Sequence, residues 1–104
     1  MSIVAEPTKT TNPVLRLTLA AALIVEHAER CGLAVPTIVS VTEIEIRFQF
    51  ASLEALTDWA LWMGAPITEE AYDGTFGSST HYTATGDALD QRIVCVRVEK
   101  GADQ

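Results

Sequence analysis

His27 and Cys31 stand four residues apart, a spacing that on a helix brings an imidazole and a thiolate to one face, within reach of a single metal ion. His81 and Cys95 could complete a Cys2His2 set. Structural zinc, however, takes a close pair of ligands from a loop or knuckle at each end, and His81 and Cys95 each lie alone in strand-like sequence. The pattern reads more simply as a helix-end histidine and a packed thiol, so no metal and no cofactor is expected. A Cys–His nucleophile, or His81 acting as a base with Glu99, needs a pocket and an orienting third group that the sequence does not supply. No catalytic residue is assigned. Arg47, His81, Thr83, Cys95 and Arg97 fall at outward positions of strand-like runs; Arg47, His81 and Arg97 would suit a small acidic ligand. The plainer explanation is the wet side of an antiparallel sheet.

Charge carries more information. No lysine or arginine occurs between Arg47 and Arg92, a segment holding Glu54, Asp58, Glu69, Glu70, Asp73, Asp87 and Asp90, while the flanks are nearly balanced. The whole formal charge of −7 therefore originates in one continuous stretch. Such a surface repels phosphates, because nucleic-acid binding depends on Lys/Arg neutralisation with counterion release; no direct nucleic-acid contact is expected. It serves solubility, or a basic protein partner. Trp62, Tyr72 and Phe76 interleave with the acids, and the partner-binding set expected from the sequence is Glu54, Asp58, Trp62, Glu69, Glu70, Tyr72, Asp73 and Phe76.

The elements that must position these residues belong to one domain: 104 residues at 48% hydrophobic content suffice for a single core. Residues 1–11 read as a flexible leader, 12–100 as the domain and 101–104 as a tail. The most apolar run, Leu17 to Val25, is bounded by Arg16 and Glu26 and falls far short of the about 20 residues of a membrane span. Without a basic start or a small-residue cleavage site, a signal peptide is not expected and the chain is placed in the cytoplasm, with Cys31 and Cys95 as free thiols.

Asn12-Pro13 is a helix start and Gly32 a helix stop, giving a first helix over 13–31. One apolar stripe (Val14, Leu17, Ala21, Ile24, Ala28, Cys31) is flanked by a second (Leu15, Leu19, Ala22, Leu23). Either both are core, or the second packs on another subunit; a homodimer through helix 13–31 is the favoured expectation. In the alternating run 37–50 the apolar parity shifts from Val39 and Val41 to Ile44, Ile46, Phe48 and Phe50, which one flat strand cannot satisfy. A hairpin turning at Thr42-Glu43, with Val41 facing Ile44 and Val39 facing Ile46, repairs the parity; a bulge is the alternative. Ser52 and Gly64 bound a second helix with Leu53, Leu56, Ala60 and Met63 inward, Trp59 in the core and Trp62 half exposed. Residues 67–80 read as a short turn and loop, and 81–85 and 92–99 as strands joined by 86–91, with Val94, Val96 and Val98 facing the core.

The order α-β-β-α-β-β predicts an α+β fold: a four-stranded antiparallel sheet with two helices packed on one face. The elements Pro36-Thr37-Ile38-Val39-Ser40-Val41, Trp59-Ala60-Leu61-Trp62-Met63-Gly64 and His81-Tyr82-Thr83-Ala84-Thr85-Gly86, after an Ala/Leu-rich first helix, resemble those of short uncharacterised proteins of actinobacteria and their phages. That resemblance implies a similar fold and a phage or mobile-element origin, and carries over no activity. The expectation is a small, acidic, non-enzymatic interaction protein; the alternative is a ligand-binding or enzymatic domain using Arg47, His81 and Arg97.

Overall fold

The computed structural model describes residues 12–75 and 77–101. Phe76 and the residues assigned to the leader and to most of the tail lie outside the described residues. The described chain is α+β: α1 (Pro13–Arg30), β1 (Ile38–Val41), β2 (Ile46–Gln49), α2 (Leu53–Met63), β3 (Ile67–Gly74), β4 (Gly77–Ala88) and β5 (Gln91–Lys100).

Both helices form where their caps predict. The Asn12 side chain accepts from Leu15 N at 3.0 Å with Pro13 at the first helical position, and Ser52 Oγ accepts from Ala55 N at 3.1 Å. At the C-terminus of α1, Gly32 at φ 86° lets Leu33 N reach Ala28 O and its own N–H reach Glu29 O, and Gly64 at φ 69° closes α2 in the same way.

The sheet corrects the expected architecture: it has five strands rather than four, in the order β1-β2-β5-β4-β3, and the β2–β5 pair is parallel. The additional strand is β3, with the first part of β4, where the sequence reads as loop. β3 is exposed along nearly its whole length, so no buried face imposes an apolar period of two on it. β4 continues through Gly86 to Ala88, and Leu89 (φ 50°) and Asp90 (φ 64°) form the two-residue turn into β5, the left-handed pair that a primed hairpin turn demands. The first hairpin exists with a longer loop than expected: Val41 pairs with Ile46 and Val39 with Phe48, Thr42 N donates to Glu45 O at 2.9 Å, and Ile44 is displaced into the loop at 89% exposure.

Both helices cover one face, α1 over β1 and β2 and α2 over β4 and β5. A single cluster joins Leu17, Ala21, Ile24 and Ala28 of α1 to Ile46, Phe48, Phe50, Ile93, Cys95 and Ala84 of the sheet region and to Leu56, Trp59 and Ala60 of α2. At its centre Trp59, fully buried, sets its ring edge-on to Phe48 and tilted to Phe50, both at 5.2 Å, and donates Nε1–H to Ala34 O at 2.8 Å. Of the first stripe on α1, Val14 and Cys31 are exposed; of the second, Leu15, Ala22 and Leu23 are exposed and Leu19 half-buried. β5 carries its core residues on the parity opposite to that expected: Ile93 and Cys95 face the helices, and Val94, Val96 and Val98 face the uncovered side. Both parities of this strand are apolar, and only its pairing with Ile46 and Phe48 decides which one is covered.

Candidate functional site

The acids of the central segment are displayed on two elements. α2 holds Glu54 in its first turn, where a carboxylate opposes the positive helix end, and Asp58 one turn later; both are exposed, beside Leu61 at 75% exposure. β3 holds Glu69, Glu70, Tyr72 and Asp73 along the outer edge of the sheet, and all four are exposed. Strand alternation turns Glu69 and Asp73 toward the helix side and Glu70 and Tyr72 toward the open face. α2 lies over β4 and β5, leaving β3 uncovered.

Ion pairs among the described residues join Arg30 to Glu26, Arg47 to Glu45, Arg92 to Asp87 and Arg97 to Glu99. Glu54, Asp58, Glu69, Glu70 and Asp73 enter none of them, so this charge is not neutralised within the described fold. Trp62 is half exposed, as expected, its ring 5.4 Å from Trp59 and 5.7 Å from His27, where it fastens α2 to the end of α1.

One grouping was not visible in the sequence. Glu70 pairs across the strands with His81, the Tyr72 ring stands edge-on to His81 at 4.4 Å, and the Tyr72 hydroxyl donates to Glu70 Oε1 at 3.0 Å. This bond and the negative charge of Glu70 beside it hold the Tyr72 phenol above its ordinary range. The turn-and-loop reading of 67–80 concealed the cluster, since only the β3–β4 register brings the three residues together.

The polar set expected to share one face is divided. Arg47 and His81 line an open concavity of about 430 Å³ on the uncovered side, together with Glu70, Tyr72, Thr83 and Val96. Cys95 lies on the covered side, fully buried among apolar groups, and that burial pushes its thiol up to about 12. Arg97 shares Cys95's parity; its guanidinium reaches the rim of the concavity but donates to Phe50 O at 3.2 Å and to Glu99. Arg47 is likewise engaged with Glu45 at 3.0 Å. Of the four residues weighed as metal ligands, Cys31 is exposed at the end of α1, His27 sits against Trp62, and Cys95 and His81 occupy opposite faces of the sheet. Among the described residues no helix is long and apolar enough to cross a membrane.

Compared with protein-family models, with curated proteins and with solved structures, the chain matches none.

Proposed function

We propose that this is a small, non-enzymatic interaction protein whose acidic edge, β3 with the outer face of α2, binds a basic segment of a protein partner. The observation that carries the reading is the placement of Glu69, Glu70, Tyr72 and Asp73 on an edge strand that, among the described residues, no element covers and no cation pairs with. An edge strand offers its main chain to an incoming extended peptide, and alternating side chains then select the sequence. Here the selection favours lysine or arginine, with Tyr72 supplying a ring face for a cation or an apolar stem. A peptide alternating lysine and valine, titrated into the labelled protein, should shift amide resonances over 67–74, weaken with added salt, and lose its effect on the triple variant Glu69→Ala, Glu70→Ala, Asp73→Ala. Binding that is indifferent to salt and to these three substitutions would remove the proposal.

A second reading draws on the concavity shared by Arg47 and His81, open to a small carboxylate. It requires Arg47 to leave Glu45, and it predicts a thermal shift with small acids that Arg47→Ala abolishes.

A further inference from the structure

The opposite edge of the sheet has a different character. β1 is Ile38-Val39-Ser40-Val41, and among the described residues its outer side pairs with no strand. Natural edge strands are guarded by charges, prolines, bulges or a covering element. β3 is guarded by its carboxylates, whereas β1 has no charge and no proline, with Ile38 and Val39 about half exposed. Because Thr42 N bonds to Glu45 O, the hydrogen-bonded pairs of the β1–β2 ladder are those two residues apart, at Ser40–Arg47 and Ile38–Gln49. The N–H and C=O of Val39 and Val41 therefore point away from the sheet. On the helix side, Val39 and Val41 floor an open groove of about 540 Å³ whose wall is Thr18, Ala21, Ala22 and Val25 of α1, with Glu26, paired to Arg30, and Glu29 also lining it.

We propose that a second copy of this chain fills this edge, β1 pairing antiparallel with β1 about a two-fold axis at Ser40. This register is self-complementary. Val39 of each chain faces Val41 of the other and exchanges both main-chain hydrogen bonds with it, satisfying all four outward groups on each strand. The same step brings four valines together on the helix side, and a strand so short of charge gains its stability from that burial and from the α1 flanks that meet above it. A stable interface buries roughly 800 Å² per partner, more than four strand residues supply, so the contribution of α1 is required. Charge opposes a second copy less at this edge than at the other, since of the groove's two carboxylates Glu26 is paired with Arg30, while β3 carries Glu69, Glu70 and Asp73 on the strand itself. The order β1-β2-β5-β4-β3 puts the acids of β3 four strands away from the axis, at the two outer ends of a continuous ten-stranded sheet, where the chains repel least.

Light scattering on the full chain should give twice the 11.3 kDa chain mass at micromolar to millimolar concentration. Amide exchange at Val39 and Val41 should slow as concentration rises, with no such change on β3. Val39→Lys places an ammonium in the valine cluster, and Val39→Pro removes an outward N–H that the β1–β2 ladder does not use. Both should give monomers with unchanged far-ultraviolet circular dichroism, and Leu23→Glu, on the outer side of α1, should remain dimeric. A wild-type chain monomeric throughout the range overturns the proposal. So does a dimer that Leu23→Glu dissociates and Val39→Pro does not, which would put the contact on the outer stripe of α1.

Discussion

Cys95 turns the packing of the core into a measurable dependence on pH. Its thiol lies between Phe48 of β2 and Ala84 of β4 on the helix-covered side, and burial moves it from an ordinary 9.0 to about 12. The native chain holds this proton more tightly than the unfolded chain. Below pH 9 both states keep it and the full stability is present; between 9 and 12 the unfolded chain ionises while the native chain does not, so stability falls as pH rises. Each pH unit in that window costs about 1.4 kcal/mol. At pH 10 the loss is therefore about 1.4 kcal/mol, and across the whole window on the order of 4 kcal/mol, a large part of the 5–15 kcal/mol typical of a domain. The experiment uses Cys31→Ala as background, leaving one thiol, and compares urea melts at pH 8 and pH 10 with those of the Cys31→Ala, Cys95→Ala double variant. The double variant starts lower because it lacks a buried side chain, but its decline between the two pH values should be smaller by about 1.4 kcal/mol. Parallel declines, or fast modification of the native Cys95 thiol by a disulfide reagent at pH 8, would refute the reasoning.

Trp59→Phe removes the donor to Ala34 O and opens a void among Phe48, Phe50 and Trp62; it should cost about 2–3 kcal/mol, read as a lowered thermal midpoint. Leu89→Asn with Asp90→Gly fits the turn to its left-handed backbone and should raise the urea midpoint by roughly 1 kcal/mol of stability, a loss instead meaning that Leu89 contributes more against Leu19 and Leu23 than its strain costs. The Glu69, Glu70, Asp73 triple alanine variant should hold its stability within about 0.5 kcal/mol of the parent in the same melts, because all three are exposed and the bond Glu70 accepts from Tyr72 lies at the surface, so that a loss of binding is not a loss of fold.

The parts of this fold legible in the sequence are those dictated locally. Asn12-Pro13, Gly32, Ser52 and Gly64 mark helix ends because capping is decided within a few residues, and the parity break near Thr42 announces a hairpin because one face must be buried. Its register escaped: whether Val41 meets Ile44 or Ile46 depends on a loop whose Thr42–Glu45 bond has no sequence signature. β3 escaped because an uncovered strand obeys no apolar alternation. The covered face of β5 escaped because Ile93 and Cys95 compete on equal terms with three valines until β2 is laid beside them. Of the acidic set, Glu54, Asp58, Glu69, Glu70, Tyr72 and Asp73 are surface residues and Trp62 is half-buried, as expected, whereas the ring contact of Trp62 with His27 lies beyond any periodicity argument.

The parallel β2–β5 contact governs how the chain can assemble itself. β1 with β2, and β3 with β4, are hairpins that close between neighbours in sequence, but within the sheet the two hairpins are joined through β5 alone, the last strand of the described residues. Without β5, Ile46 and Phe48 have no sheet neighbour on that side and the two halves of the sheet are held to each other only by helix packing, so completing the sheet requires the closure that brings residues 91–100 back beside residues 46–49, across some forty intervening residues. Cutting the chain before Gln91 should thus leave two hairpins bridged by helix packing, such as that of Trp59 on Phe48, and no longer by a continuous sheet.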